Sequence, residues 1–193
     1  MTSRTAVVTV FGSSRPREGD AHYEQARELG RLLAGRGFLV CSGGYGGVME
    51  AVSRGAKEAH GRTLAVTAEF FAASANAWVD EEIRVRTWEE RLFELLRRGE
   101  GYVACPGGTG TLVELAVAWE MLNKNVMEGK PLVALGEFWR PIVERMREVE
   151  TGHASPYSEG AEPLIHIASS PAEAAGHLAG KLLPAPRAAQ PFS

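Results

Sequence analysis

Residues 106–114 read Pro-Gly-Gly-Thr-Gly-Thr-Leu-Val-Glu, directly after a short apolar run, Tyr102-Val103-Ala104-Cys105. An apolar run, a glycine-rich break and then Leu112, Leu115, Ala116 and Trp119 at helical spacing predict a strand, a turn and a helix. Glycines let an anion approach the backbone without meeting β-carbons. The N–H groups of such a turn and of the helix it opens present aligned donors and a partial positive charge. Gly107, Gly108, Thr109, Gly110 and Thr111 are therefore candidate phosphate-binding residues. The bend holds no lysine and is neither a Walker A loop nor G-x-G-x-x-G. The bland alternative is a tight strand-to-helix turn that binds nothing.

Two charged residues could act on a ligand held there. Glu114 is expected in the first turn of the helix, where two readings stay open. Thr111 and Glu114 have the spacing of a capping box, in which the glutamate only closes the helix start. Alternatively, the helix N-terminus holds the carboxylate ionised beside whatever the turn binds. Arg91 sits in a mixed-charge stretch with Glu94, Arg97 and Arg98, and by local pattern alone that is a solvated helix face.

The elements that must position these residues alternate along the chain. Strands are expected at residues 6–11, 38–41, 63–67, 82–85, 102–105, 131–135 and 164–168. Helices are expected at about 21–34, 48–60, 87–98, 112–122, 138–149 and 171–183, and residues 69–80 show no clear period. Thr87 with Glu90 forms a capping-box pattern, and Ser170 is a candidate N-cap. Trp88, Leu92, Leu95 and Leu96 share one broad apolar face. Such alternation predicts an α/β fold: a mostly parallel sheet of about seven strands with helices on both faces. In such sheets ligands sit at the carboxyl ends of the strands near the topological switch point. Three loops rich in Gly and Ser follow strands, at residues 12–14, 42–47 and 106–111, and together they describe a floor for a phosphorylated ligand.

The totals narrow the classes. The chain has 193 residues, 45% hydrophobic and 23% charged, which suits one soluble α/β domain. The net charge of −3 gives no preference for nucleic acid or an anionic membrane. No apolar run approaches the roughly 20 residues of a membrane span, and no signal peptide is recognised, so a cytoplasmic location is expected. Cys41 and Cys105 read as buried thiols. His22, His60, His153, His166 and His177 are scattered, without metal-ligand spacing, so no metal is expected.

Taken together these residues resemble a known family. P-G-G-x-G-T-x-x-E stands at residues 106–114, and Arg91 lies fifteen residues before its proline. An upstream Gly12-Ser13-Ser14 loop, the Gly43-Gly44-Tyr45-Gly46-Gly47-Val48-Met49 segment, Trp119 and Lys130-Pro131 complete the pattern. The chain resembles the LOG ("lonely guy") nucleoside 5′-monophosphate phosphoribohydrolases, also labelled "possible lysine decarboxylase". The likeness covers residues from about 6 to about 150.

The resemblance implies a Rossmann-like nucleotide-binding domain, here over residues 1–183, and a homodimer; residues 184–193, rich in Pro and Ala, are expected to form a mobile tail. The resemblance also implies hydrolysis of the N-glycosidic bond of a nucleoside 5′-monophosphate, AMP or a cytokinin-riboside-monophosphate-like substrate, with Arg91 and Glu114 as the catalytic pair and no cofactor. The glycine turn would hold the phosphate, and Gly12, Ser13, Ser14, Gly43, Gly44 and Trp88 would contact substrate. Where the family usually has Arg-Lys, this chain has Arg91-Leu92; where it often has methionine, this chain has Trp88; where it commonly ends its motif with two glutamates, this chain has Val113-Glu114. A decarboxylase would need a lysine for pyridoxal phosphate, and none sits in these loops. The alternative is a non-catalytic nucleotide- or molybdenum-cofactor-binding protein on the same fold.

Overall fold

The computed structural model describes residues 5–127, 129–151 and 163–183. The polar loop expected at 151–163 lies almost wholly outside the described residues, and the tail expected at 184–193 lies wholly outside them. The strands are β1 (Val7–Phe11), β2 (Leu39–Ser42), β3 (Thr63–Ala68), β4 (Glu81–Val85), β5 (Gly101–Ala104), β6 (Leu132–Leu135) and β7 (Ile165–Ala168). The helices are α1 (Ala21–Gly35), α2 (Val48–Glu58), α3 (Trp88–Arg98), α4 (Thr109–Asn123), α5 (Arg140–Thr151) and α6 (Pro171–Leu182). All seven strands join one sheet in the order β4-β3-β2-β1-β5-β6-β7, and every ladder is parallel.

Alternation along the strands gives the sheet two apolar faces. Val8, Val10, Val40, Val103 and Val133 pack with α1, α2 and α6 on one side. Cys41, Leu64, Val66, Tyr102, Ala104 and Leu132 pack with α3, α4 and the turn before α5 on the other. After β1 the chain winds outward through β2, β3 and β4, then returns to lay β5 on the opposite edge of β1. The β1–β5 pair is therefore the topological switch point, and the loops at residues 12–16 and 105–108 leave the sheet side by side there.

Several local expectations hold. The Thr87–Glu90 capping box closes in both directions at the start of α3. The Ser170 side chain accepts from the Glu173 N–H at α6. Cys41 and Cys105 are buried free thiols. Three expectations are corrected. Helix α4 begins at Thr109 with Gly108 as its N-cap and no side-chain cap. Thr111 is thus already inside the helix, and Glu114 lies in its second turn, so the capping-box reading fails. The core stripe of α4 is Thr111, Leu115, Ala118 and Leu122, whereas Ala116 is exposed. The earlier start rotates the face that meets the sheet. His166 and His177 are also not scattered: their rings stack with centroids 4.0 Å apart.

The segment after β3 makes one 3-10 turn, Glu69–Phe71, and is then tied down. The Asn76 Nδ2 group donates to the carbonyls of Gly44 (2.9 Å) and Tyr45 (3.0 Å). The Tyr45 hydroxyl accepts from the Ala68 N–H at 2.9 Å.

Helices α1 and α2 cross at two glycines. A β-carbon at Gly55 would overlap the Arg27 carbonyl oxygen and lie 2.7 Å from the carbonyl carbon, both backbone atoms. Gly55→Ala is expected to cost roughly 1–3 kcal/mol, lowering Tm by several degrees in a thermal melt.

Candidate functional site

A cleft of about 1060 Å³ opens over the carboxyl ends of β1, β2 and β5. Its floor is the turn Pro106–Thr111, with Glu114 behind it; one wall is residues 12–16, and Tyr45, Phe71, Trp88 and Phe138 line the mouth. The first N–H groups of α4 have no intrahelical acceptor, and Gly108 offers no side chain to cap them. A β-carbon at Gly108 or Gly110 would meet nothing within 4 Å. Open space above uncapped donors is what an anion needs.

Arg91 does not sit on a solvated face. It is 6% exposed, and its side chain crosses the carboxyl edge of the sheet. Nε donates to the Val66 carbonyl at 3.0 Å, and Nη2 lies 3.6 Å from the Met49 sulfur. The guanidinium carbon stands 5.4 Å from the Tyr45 ring centre and 5.6 Å from that of Phe71, both within cation–π range. Nη1 lies 3.6 Å from Oε1 of Glu114. That is an ion pair longer than a hydrogen bond, with room for either partner to turn toward a ligand. Helix α3 itself is held by its box, its Leu92, Leu95 and Leu96 contacts with the sheet, and the Glu94 pairs to Arg97 and Arg98.

The expectation that Glu114 is held fully ionised is corrected. Burial pushes its carboxyl up to about 7, and the Arg91 cation opposes the rise only in part. The second-turn position explains this, because the helix-terminal field falls off within the first turn. Cys105, beside the turn, is no nucleophile, since burial pushes its thiol up to about 12.

Of the residues named from sequence, Gly12, Ser13, Ser14, Trp88, Arg91, Gly107–Thr111 and Glu114 all line this cleft. Gly43 and Gly44 do not: Gly43 packs behind Arg91, and Gly44, with φ +77°, packs on Ala65 and Thr67. Their backbone carries the turn that holds Arg91 rather than a ligand surface. Sequence reasoning missed Tyr45, Met49, Phe71 and Phe138. The Phe70-Phe71 pair in a stretch without period was the available signal, because aromatic side chains in an irregular segment need a reason to be there. No lysine lines the cleft among the described residues. Lys130 lies at the opposite edge of the sheet, donating to the Gly99 carbonyl at 2.6 Å.

The architecture is that of a Rossmann-like α/β protein with its cleft at the switch point. The chain belongs to the SLOG cluster4 family, whose profile matches residues 5–162. It is 31% identical over 129 residues to an uncharacterized protein of Archaeoglobus fulgidus, covering 67% of this chain and 79% of that one. It is 35% identical over 115 residues to the cytokinin riboside 5′-monophosphate phosphoribohydrolase of Mycobacterium tuberculosis. That alignment covers 58% of this chain and 61% of the mycobacterial protein, which is under two thirds of its length. The molybdenum cofactor carrier protein of Chlamydomonas reinhardtii superposes with a TM-score of 0.73 at 25% identity, over 93% of this chain and 99% of its own.

The Glu114 carboxyl is expected to titrate with a midpoint near 7 when followed by its side-chain carbon resonance, and Arg91→Met to move the midpoint further up. The sign for stability follows. The raised value means that the unfolded chain ionises first, so this group's stabilising contribution falls as pH rises from 4.5 to about 7. Glu114→Gln, which carries no charge to bury, is therefore expected to melt higher relative to wild type at pH 8 than at pH 4.

Proposed function

We propose that this protein hydrolyses the N-glycosidic bond of a nucleoside 5′-monophosphate, with AMP or a related purine nucleotide as substrate. The observation that carries the reading is one cleft in which buried Arg91 and half-buried Glu114, 3.6 Å apart, stand beside an uncapped, glycine-lined helix start. The mycobacterial relative is named for this class of reaction.

The 5′-phosphate binds the amides at the start of α4. Binding there places the reacting bond without taking part in its cleavage. As the bond between C1′ and the base nitrogen breaks, its electron pair leaves with the base and positive charge builds on the sugar. Glu114 as carboxylate stabilises that charge and accepts a proton from the attacking water, whose oxygen bonds to C1′. The base nitrogen takes up a proton as it departs, giving free base and ribose 5-phosphate. Arg91 holds Glu114 in position and donates to a ribose hydroxyl through its planar fork.

A homodimer is proposed with it. Phe93, Ile142 and Met146 are large apolar side chains left exposed on α3 and α5, and a second copy would cover them. Sedimentation should then give twice the chain mass. A cytoplasmic location fits the two free thiols, and no described helix is long and apolar enough to cross a membrane.

The test is base release. Purified protein should free adenine from AMP, with a rate that rises with pH through about 7 as Glu114 ionises. Glu114→Gln should lower kcat by about 100-fold or more. A copurified ligand without turnover of any monophosphate would instead favour a carrier, as the likeness to the algal molybdenum cofactor carrier suggests.

A further inference from the structure

Gly43 is explained neither by backbone conformation nor by a ligand. Its φ is not positive, unlike those of Gly44 (+77°) and Gly47 (+68°), so no left-handed conformation requires a glycine there. It does not line the cleft. A β-carbon there would overlap Nη2 of Arg91 and lie 2.8 Å from its Cζ and 2.7 Å from the Met49 sulfur. All three nearest atoms belong to side chains, and two of them belong to Arg91.

Other crowded glycines differ in what they meet. At Gly47 the added carbon would meet the backbone of Ser13 and Ser14, and at Gly55 the backbone of Arg27, which cannot step aside. At Gly12, Gly99, Gly101 and Gly107 it would meet only uncharged side chains. At Gly43 the obstacle is the head of one long side chain, which can step aside at small cost to folding.

What yields at Gly43 is the arrangement of the site. The guanidinium is fixed by the Val66 carbonyl through Nε, by two rings and by Glu114. Pushed from behind, it must give up the Val66 bond or advance into the space that the ligand's sugar would occupy. The turn that carries Gly43 cannot retreat freely, because Asn76 holds the next two carbonyls at 2.9 and 3.0 Å.

We infer that Gly43 is a positioning residue for hydrolysis: the side chain it lacks is the berth of the Arg91 guanidinium. The inference rests on the reading of Arg91 and Glu114 as the reacting pair. It also assigns Met49, the second wall of the berth, to the same task.

The test compares Gly43→Ala, Arg91→Ala and the double variant. Gly43→Ala should melt within a few degrees of wild type and bind inorganic phosphate within about threefold, because the phosphate turn is untouched. It should release adenine from AMP about 100-fold more slowly, the scale of a 1 Å misplacement. The double variant should be no slower than Arg91→Ala alone, since both lesions remove the same interaction. The Glu114 titration midpoint should move upward in Arg91→Ala and shift in Gly43→Ala, which a merely structural glycine would not cause.

Wild-type turnover in Gly43→Ala, or an effect that adds to that of Arg91→Ala, would overturn the assignment. If Gly43→Ala does not fold, Gly43→Ala/Arg91→Ala, which empties the berth, should fold again, and its failure to do so would overturn the assignment. If wild type releases no base at all, the hydrolase reading falls. The berth is then judged by the Glu114 midpoint alone, and an unmoved midpoint in Gly43→Ala overturns it.

Discussion

A guanidinium taken out of water must be answered by something, and here the answer occupies the carboxyl end of the sheet. Arg91 is supported by a strand carbonyl, a thioether, two aromatic faces and one carboxylate. Removing a cation from solvent costs several kcal/mol unless it is paired and hydrogen-bonded. The support is nevertheless incomplete in the direction that matters. Glu114 stands too far away to form a short hydrogen bond, and burial raises its carboxyl toward neutrality. The pair therefore keeps unspent electrostatic capacity on its cleft side. That side is also where the uncapped start of α4 faces open space.

The fold brings these groups together by topology rather than by nearness in sequence. Strand β5 lies against β1, and the loops leaving both rise at the switch point. Helix α3, which supplies Arg91, packs under the β1–β3 half and feeds β5. Its arginine must cross the strand ends to reach Glu114 on α4. The Tyr45 turn and the Glu69–Phe71 turn close over that crossing and are tied to each other through Ala68 and Asn76. Trp139 donates to the Cys105 carbonyl at 3.0 Å and fixes the strand end from which the Pro106–Thr111 turn departs. The glycines differ in what their missing side chains allow: Gly55 lets two helices cross, Gly108 and Gly110 leave open space at the α4 start, and Gly43 leaves room for the Arg91 head.

What was legible in the sequence was local. Alternation and helical spacing located all seven strands and six helices, and the Thr87 and Ser170 caps could be read because their partners lie three residues away. The start of α4 was misplaced because its true N-cap, Gly108, has no side chain to announce it. Thr111 and Glu114 meanwhile mimic a cap at the right spacing. The burial of Arg91 could not be read from its neighbours. Glu89, Glu90 and Glu94 make it look solvated, and the groups that enclose it come from residues 45, 49, 66, 71 and 114. For the same reason Gly43 was assigned to the ligand: a glycine-rich turn after a strand looks alike whether it faces a phosphate or an arginine. Family resemblance singled out Arg91 and Glu114 where spacing alone did not.

On the proposed function, one ligand engages both the α4 start and the Arg91–Glu114 pair. Diffraction from crystals of Glu114→Gln soaked with AMP tests it most directly. Phosphate density is expected on the amides of residues 108–111, with C1′ facing the side chain at position 114 and the ribose within reach of Arg91. Phosphate bound elsewhere, or a sugar turned away from position 114, would contradict it.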